Sequence, residues 1–158
     1  MNKYREADLI ACMLARIMCD LCNRPFLVAV GDVPGYDLRS VDGEVSIELK
    51  KEATPERTGN VALEYWNTDR DVPSGILATA ANTWVHLLPE NGRWRCFEFS
   101  IGTIRKLAME HGTTKANGTN ALLRLVPVEI FKQHARRSFG LDERFIPAGG
   151  SNEKPIAA

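Results

Sequence analysis

Asp37, Glu48 and Lys50 are the residues of this chain whose types and spacing suit metal-assisted chemistry on a charged substrate. Two extended runs, 36–41 and 44–51, flank Asp42-Gly43, the dipeptide that most readily supplies the two positive-φ positions of a tight hairpin turn. With a two-residue loop, Val41 faces Glu44, and continuing that register sets Leu38 opposite Ile47 and Asp37 opposite Glu48. The period of two then puts Asp37, Glu48 and Lys50 on one face, and Val45, Ile47 and Leu49 on the other. Opposed β-carbons stand about 4.5–5.5 Å apart, where two like charges repel by roughly 3 kcal/mol at an effective dielectric near 20. A divalent cation gathering both carboxylates removes that cost. Mg²⁺ is commonly held by one or two carboxylates while it keeps waters that a phosphate can displace. Lys50 beside them can position a water or meet the charge that builds on a transferring phosphate. The alternative is a solvated hairpin face, on which Asp37, Arg39, Ser46, Glu48 and Lys50 are ordinary residues and the mixed charges partly neutralise one another.

The elements that must position these residues follow from hydrophobic spacing. Ile10, Met13, Leu14, Ile17 and Leu21 paint one stripe on a helix over 4–22. Glu6 falls in line with that stripe, either facing the sheet as a third acid or exposed in a first turn where acids suit the helix N-terminus. The short apolar run 26–30, between Pro25 and Gly31, predicts a buried strand. Residues 52–60 read as a looser stretch and 61–66 as strand or helix. Pro73-Ser74-Gly75 opens an Ala-rich segment predicted helical to Asn82. Strands are predicted over 83–88 and 94–100, joined by a turn at 90–92. A helix over 101–111 follows, with Ile104, Leu107 and Ala108 on one side and Gly112 as its stop. Residues 113–120 read as a polar loop, 121–126 as a strand, and Pro127 as the start of a helix to His134. The sum is an α/β fold with a mixed sheet, expected as a single domain over 1–147 with a flexible tail over 148–158.

The 158 residues, 44% hydrophobic and 25% charged, have the profile of an ordinary globular domain. No stretch approaches the roughly 18 uninterrupted apolar residues of a membrane span, and the start lacks the apolar core of a signal peptide. The expectation is a cytoplasmic protein with no membrane partner. Its 20 basic and 20 acidic residues cancel, yet acids prevail early and bases late. Cys12, Cys19, Cys22 and Cys96 include one Cys-x-x-Cys pair without the second pair of a zinc site, so reduced core thiols are the expectation and a thiol sensor at Cys19 and Cys22 the alternative. His86, His111 and His134 stand on separate elements, and no two have a helical metal-ligand spacing.

Tyr36-Asp37, ten residues, then Glu48-Leu49-Lys50 on the next strand, behind a helix bearing Glu6, resembles the PD-(D/E)XK nuclease superfamily. The resemblance spans roughly residues 4–100, with Tyr36 where the family name has Pro. It implies a restriction-endonuclease-like core, a central mixed β-sheet flanked by helices. It also implies hydrolysis of DNA phosphodiester bonds, as an endonuclease, with Mg²⁺ or Mn²⁺. By that likeness Asp37, Glu48 and the Leu49 carbonyl hold the metal, and Lys50 assists the attacking water. The arrangement is similar to that of archaeal Holliday-junction resolvases, whose first-helix Glu joins the metal centre, the place of Glu6 here. Thr58-Gly59-Asn60 followed by Glu64, and Ser74-Gly75-Ile76, resemble a pattern of small phage-type members, which makes Glu64 a second-tier acid.

The nucleic-acid contacts expected are Lys115 in the 113–120 loop, with Arg93, Arg95, Arg105 and Lys106, whose heads suit phosphates. Each would serve equally as an ordinary surface charge. A homodimer would let two sites cut both strands of a duplex, although no sequence feature demands one. The rival function is a non-catalytic DNA- or protein-binding protein that keeps the nuclease-like fold.

Overall fold

The computed structural model describes residues 3–29, 35–118 and 120–141. The expected tail over 148–158, and the break at 31–34, lie outside the described residues. The chain runs α1 (Lys3–Cys22), β1 (Phe26–Val28), β2 (Leu38–Ser40), β3 (Ser46–Lys51), α2 (Pro55–Thr58), β4 (Asn60–Asn67), β5 (Val72–Pro73) and α3 (Gly75–Ala78). It continues as β6 (Thr83–Glu90), β7 (Arg93–Ser100), α4 (Ile101–His111), β8 (Thr113–Ala116), β9 (Ala121–Pro127), α5 (Val128–Gln133) and β10 (Arg137–Gly140). The fold is α/β. Its main sheet has the order β1-β2-β3-β6-β7-β10, antiparallel except for the parallel pair β3–β6, and a second antiparallel sheet has the order β5-β4-β9-β8.

Alternation along β6 separates two cores. Val85 and Leu87 meet Ile10, Leu14 and Met18 of α1, together with Leu38 and Ile47. Trp84 and Leu88 face the other way and pack with Val61 and Leu63 of β4, Val126 of β9, Ile104 and Leu107 of α4, and Phe131 of α5. The second sheet and α4 thus cover the β6–β7 part of the main sheet. Asn91 and Gly92, both left-handed (φ 53° and 73°), close β6 onto β7 in the two-residue turn that Asn-Gly favours. Ser100 caps α4 by accepting from the Thr103 amide at 3.0 Å.

Several expectations are corrected. The buried stripe of α1 centres on Ile10, Leu14 and Met18, and Leu21 is exposed. The run gives an edge strand, β1, over Phe26–Val28, with Leu27 61% exposed, because among the described residues no strand pairs beyond it and the Leu27 side chain turns away from the core that α1 forms with Phe26 and Val28. The Ala-rich helix ends at Ala78, and 113–116 form a strand, β8, since Thr113 to Ala116 pair along β9 and so satisfy backbone groups that a loop would leave to water. The stretch 52–60 contains the single-turn α2, and β10, which no periodicity foretells, pairs with β7. Gly112 stops α4 for a reason of space: a Cβ there would stand 2.4 Å from the Ala108 carbonyl oxygen.

Glu98 fixes β10. Its fully buried carboxylate pairs with Arg136 and Arg137, and its carbonyl accepts from the Arg136 amide at 2.7 Å. Burial alone would raise its pKa, but the hydrogen bonds and charges of Arg137 and Arg136 outweigh it and hold the carboxyl below its ordinary range. A depressed folded pKa contributes stability above the ordinary carboxylate range that is lost as pH falls through the folded value. Glu98→Gln is expected to cost about 3 kcal/mol in urea unfolding at pH 7, the low end for breaking a buried pair because both arginines keep some solvent. The difference should shrink on acidification.

Candidate functional site

The β2–β3 hairpin has the expected register by a different turn. Leu38 pairs with Ile47 and Arg39 with Ser46, but the loop is four residues, 41–44, closed by Ser40 N–H to the Val45 carbonyl at 2.8 Å. Asp42 holds it, accepting from the Ser40 hydroxyl (2.5 Å) and the Glu44 amide (3.1 Å). Two- and four-residue loops about one centre give the same pairs, so the inference about faces survives the wrong turn.

The ladder stops before Asp37. Its amide donates to the Ile47 carbonyl (2.8 Å), and its carboxylate accepts from the Leu49 amide through Oδ2 at 2.6 Å. Asp37 therefore does not pair with Glu48 as a ladder residue; it bends in and caps the strand that carries it. Glu48 lies beside Trp84 in the parallel register and Lys50 beside His86, on the face turned toward the second sheet. Thr79, just past α3, places its hydroxyl 3.2 Å from Glu48 Oε2 and 3.1 Å from the Gly35 carbonyl. Its Oγ1 also accepts from the Ala81 amide (3.2 Å), so the single hydroxyl proton is left for one of the two acceptors.

Both acids are disfavoured as anions. Burial raises the Asp37 carboxyl above its ordinary range, against the Leu49 hydrogen bond and the Lys50 charge. Burial also raises Glu48, and the Asp37 charge raises it further, opposed by Lys50 and Thr79. All the donors are oxygens, which suits a hard cation. Among the described residues no group of three or more His, Cys, Asp or Glu side chains is placed to hold a metal ion. What remains fits Mg²⁺, which needs only one or two carboxylates and fills its shell with water and substrate.

Glu6 is not brought to this pair. It binds Lys51, whose ammonium lies 4.4 Å from the Trp94 ring centroid, on the α1 side of the main sheet. Lys51 and Lys50 are adjacent in β3 and so leave opposite faces, which puts the strand between Glu6 and Glu48. Glu64 stands in the second sheet, opposite in parity to the core residues Leu63 and Val61 and next to a bulge at 64–66. Its carbonyl is crowded by α3, where Gly75, with φ +47°, has room only for hydrogen: a Cβ would meet the Glu64 oxygen at 2.2 Å.

The expected nucleic-acid contacts scatter. Arg105 turns inward, its Nε donating to the Ile76 carbonyl at 2.7 Å and Nη2 to that of Thr79 at 3.4 Å, so it holds the segment that carries Thr79. Arg95 bonds the Ser138 hydroxyl (3.0 Å) and lies 3.4 Å from Glu90, while Lys106 is 3.8 Å from Glu110. Arg93 is exposed beside the β6–β7 turn, six residues or roughly 20 Å along β6 from the level of Glu48. Lys115 is exposed on β8, the edge of the second sheet.

Two residues were missed. Glu52 extends the alternate series Glu48, Lys50, and its carboxylate accepts from the Ala62 amide (3.1 Å) and from His86 (3.2 Å). The Trp84 indole N–H, a donor only, reaches His86 Nδ1 at 3.3 Å, so the His86 proton sits on Nε2 and points to Glu52. Burial, against the pull of Glu52, keeps His86 below its ordinary pKa and neutral. The period of two would have found Glu52; for Thr79, placed by a crossover, the sequence holds no signal.

No family model and no curated protein matches the chain. Among solved structures, that of a bacterial homing endonuclease is similar over 77% of this chain and 77% of that one, at 21% identity and a TM-score of 0.45. A likeness that loose leaves function to the residues themselves. No helix among the described residues is long and apolar enough to cross a membrane.

Since both folded carboxyl pKa values are raised, ionisation weakens the fold as pH climbs through the carboxylate range. Asp37→Asn, which keeps an acceptor for the Leu49 amide, is expected to lower the Glu48 pKa in a carboxyl carbon-13 titration. It should also raise the melting temperature at neutral pH but not in acid. An unaltered Glu48 titration would mean that the two acids do not interact.

Proposed function

We propose that the chain is a metal-dependent nuclease of the PD-(D/E)XK type, an endonuclease that hydrolyses DNA phosphodiester bonds with Mg²⁺ or Mn²⁺ held by Asp37 and Glu48. The observation that carries this reading is a pair of partly buried carboxylates on one sheet face, Asp37 held by the Leu49 amide and Glu48 by the Thr79 hydroxyl, with the exposed Lys50 beside them. Such a pair is unfavourable in the bare protein and favourable around a cation. The carbonyl of Leu49 is the backbone ligand that the motif supplies. Thr79 orients Glu48 by its hydroxyl, and Asp37 is oriented by the Leu49 amide. When bound, the cation supplies Lewis-acid polarisation of a phosphoryl oxygen and makes water more acidic. Lys50, charged and exposed, orients the attacking water and meets the charge that grows on the phosphate. Two copies of the chain would offer a site to each strand of a duplex.

The second reading, a DNA- or protein-binding protein without turnover, draws on Glu6, which pairs with Lys51 instead of adding a third acid to the site.

Supercoiled plasmid, linear duplex and single-stranded DNA incubated with Mg²⁺, Mn²⁺ or chelator separate the two. Cleavage is expected with metal only and is expected to vanish in Glu48→Ala. Lys50→Met should cut the rate by about 10²–10⁴-fold while Mn²⁺ affinity holds. Metal-independent cleavage overturns the metal site, and DNA binding without cleavage under any metal overturns the nuclease reading. Protons compete for both carboxylates, so Mn²⁺ affinity measured by calorimetry is expected to fall as pH drops into their raised range.

A further inference from the structure

A shallow groove of about 440 Å³ lies on the β1–β2 part of the main sheet, lined by Leu27, Tyr36, Arg39, Val41 and Asp42 among others. Leu27 pairs with Arg39 and Arg39 with Ser46, so these three side chains share a face with Glu48. The groove therefore borders the face that carries the candidate site, with Tyr36 of its lining next to Asp37. Leu27 and Val41 are each 61% exposed, and β1 is the edge strand, so the groove runs out sideways past Leu27.

Charge distinguishes its possible occupants. The acid on the rim, Asp42, is held by Arg24 at 2.9 Å and by the Ser40 hydroxyl. Arg39 makes no ion pair among the described residues; its guanidinium lies 5.8 Å from the centroid of the Tyr36 ring. The left-handed Gly43 (φ +76°) leaves room for it, since a Cβ there would stand 3.0 Å from Arg39 Nη2. A cationic fork between exposed apolar side chains matches a chain that alternates anionic links with flat apolar faces.

We infer that this groove holds a nucleic-acid strand, with a phosphate on Arg39 and a base against Leu27 and Val41, and so feeds a neighbouring phosphodiester to Asp37 and Glu48. Arg39 and Asp37 are two residues apart, about 7 Å of extended backbone, a separation on the scale of one step between neighbouring phosphates of a strand. The inference rests on the nuclease reading and adds to it the surface that receives the substrate.

The test is binding of the full chain, in chelator so that no cleavage intervenes, to labelled DNA of about 30 nucleotides, single-stranded and duplex, by anisotropy from about 50 to 300 mM KCl. Arg39→Gln is expected to raise Kd about tenfold and to reduce the slope of log Kd against log salt by about 1. Arg39→Lys should restore the slope, and Arg16→Gln, on α1 across the sheet, should leave both quantities unchanged. Because Arg39 is exposed, the variants should melt as the wild type does. The form of DNA that shows the Arg39-dependent slope is the form the groove takes. If the wild type binds and Arg39→Gln binds equally, the groove is overturned and the nuclease reading stands. If the wild type binds neither form, the groove is overturned, and the nuclease reading is decided separately by cleavage with metal.

Discussion

The parallel pairing of β3 with β6, from Ile47 beside Thr83 to Lys51 beside Leu87, joins the N-terminal hairpin to the rest of the molecule. Parallel neighbours keep matching faces, so this one ladder decides that Ile47 and Leu49 sink onto α1 while Glu48 and Lys50 emerge beside Trp84 and His86. A slip of one residue would bury Glu48 and Lys50 against α1 and turn Ile47 outward. Two independent apolar cores, one on each face, penalise that slip, and the acids hold their place because the hydrophobic residues between them do.

Around that ladder the polar interactions fall into two kinds. Glu98 with its arginines, and the Trp84–His86–Glu52 chain that ends on the Ala62 amide, are satisfied networks that tie separate elements together. Asp37 and Glu48 are of the other kind, partly desolvated and of like charge, with Thr79 and the Leu49 amide as their fixed partners. On the nuclease reading proposed above, this concentration of unfavourable charge on an otherwise well-satisfied scaffold is the place where a cation would be held. Asp37 lies two residues from Arg39 of the neighbouring groove.

What the sequence determined by itself is whatever depends on local periodicity. The α1 helix, the β6–β7 turn at Asn91-Gly92 and the limits of α4 were legible because each is set by neighbours a few residues away. So were the shared face of Glu48 and Lys50 and the Leu38–Ile47 register, the latter even though the loop proved to be four residues. Only the tertiary structure decided the rest. Glu6 lies on the core stripe of α1, but which side of the sheet α1 covers is a matter of long-range packing, and it put Glu6 with Lys51. Arg105 reads as a surface cation until α3 is laid against α4 and takes its guanidinium. Thr79 reaches Glu48, and β8 and β10 become strands, through partners 6 to 45 residues distant, which the periodicity of these segments does not reveal. Local spacing fixes which face of an element a side chain takes, and long-range packing fixes what that face meets.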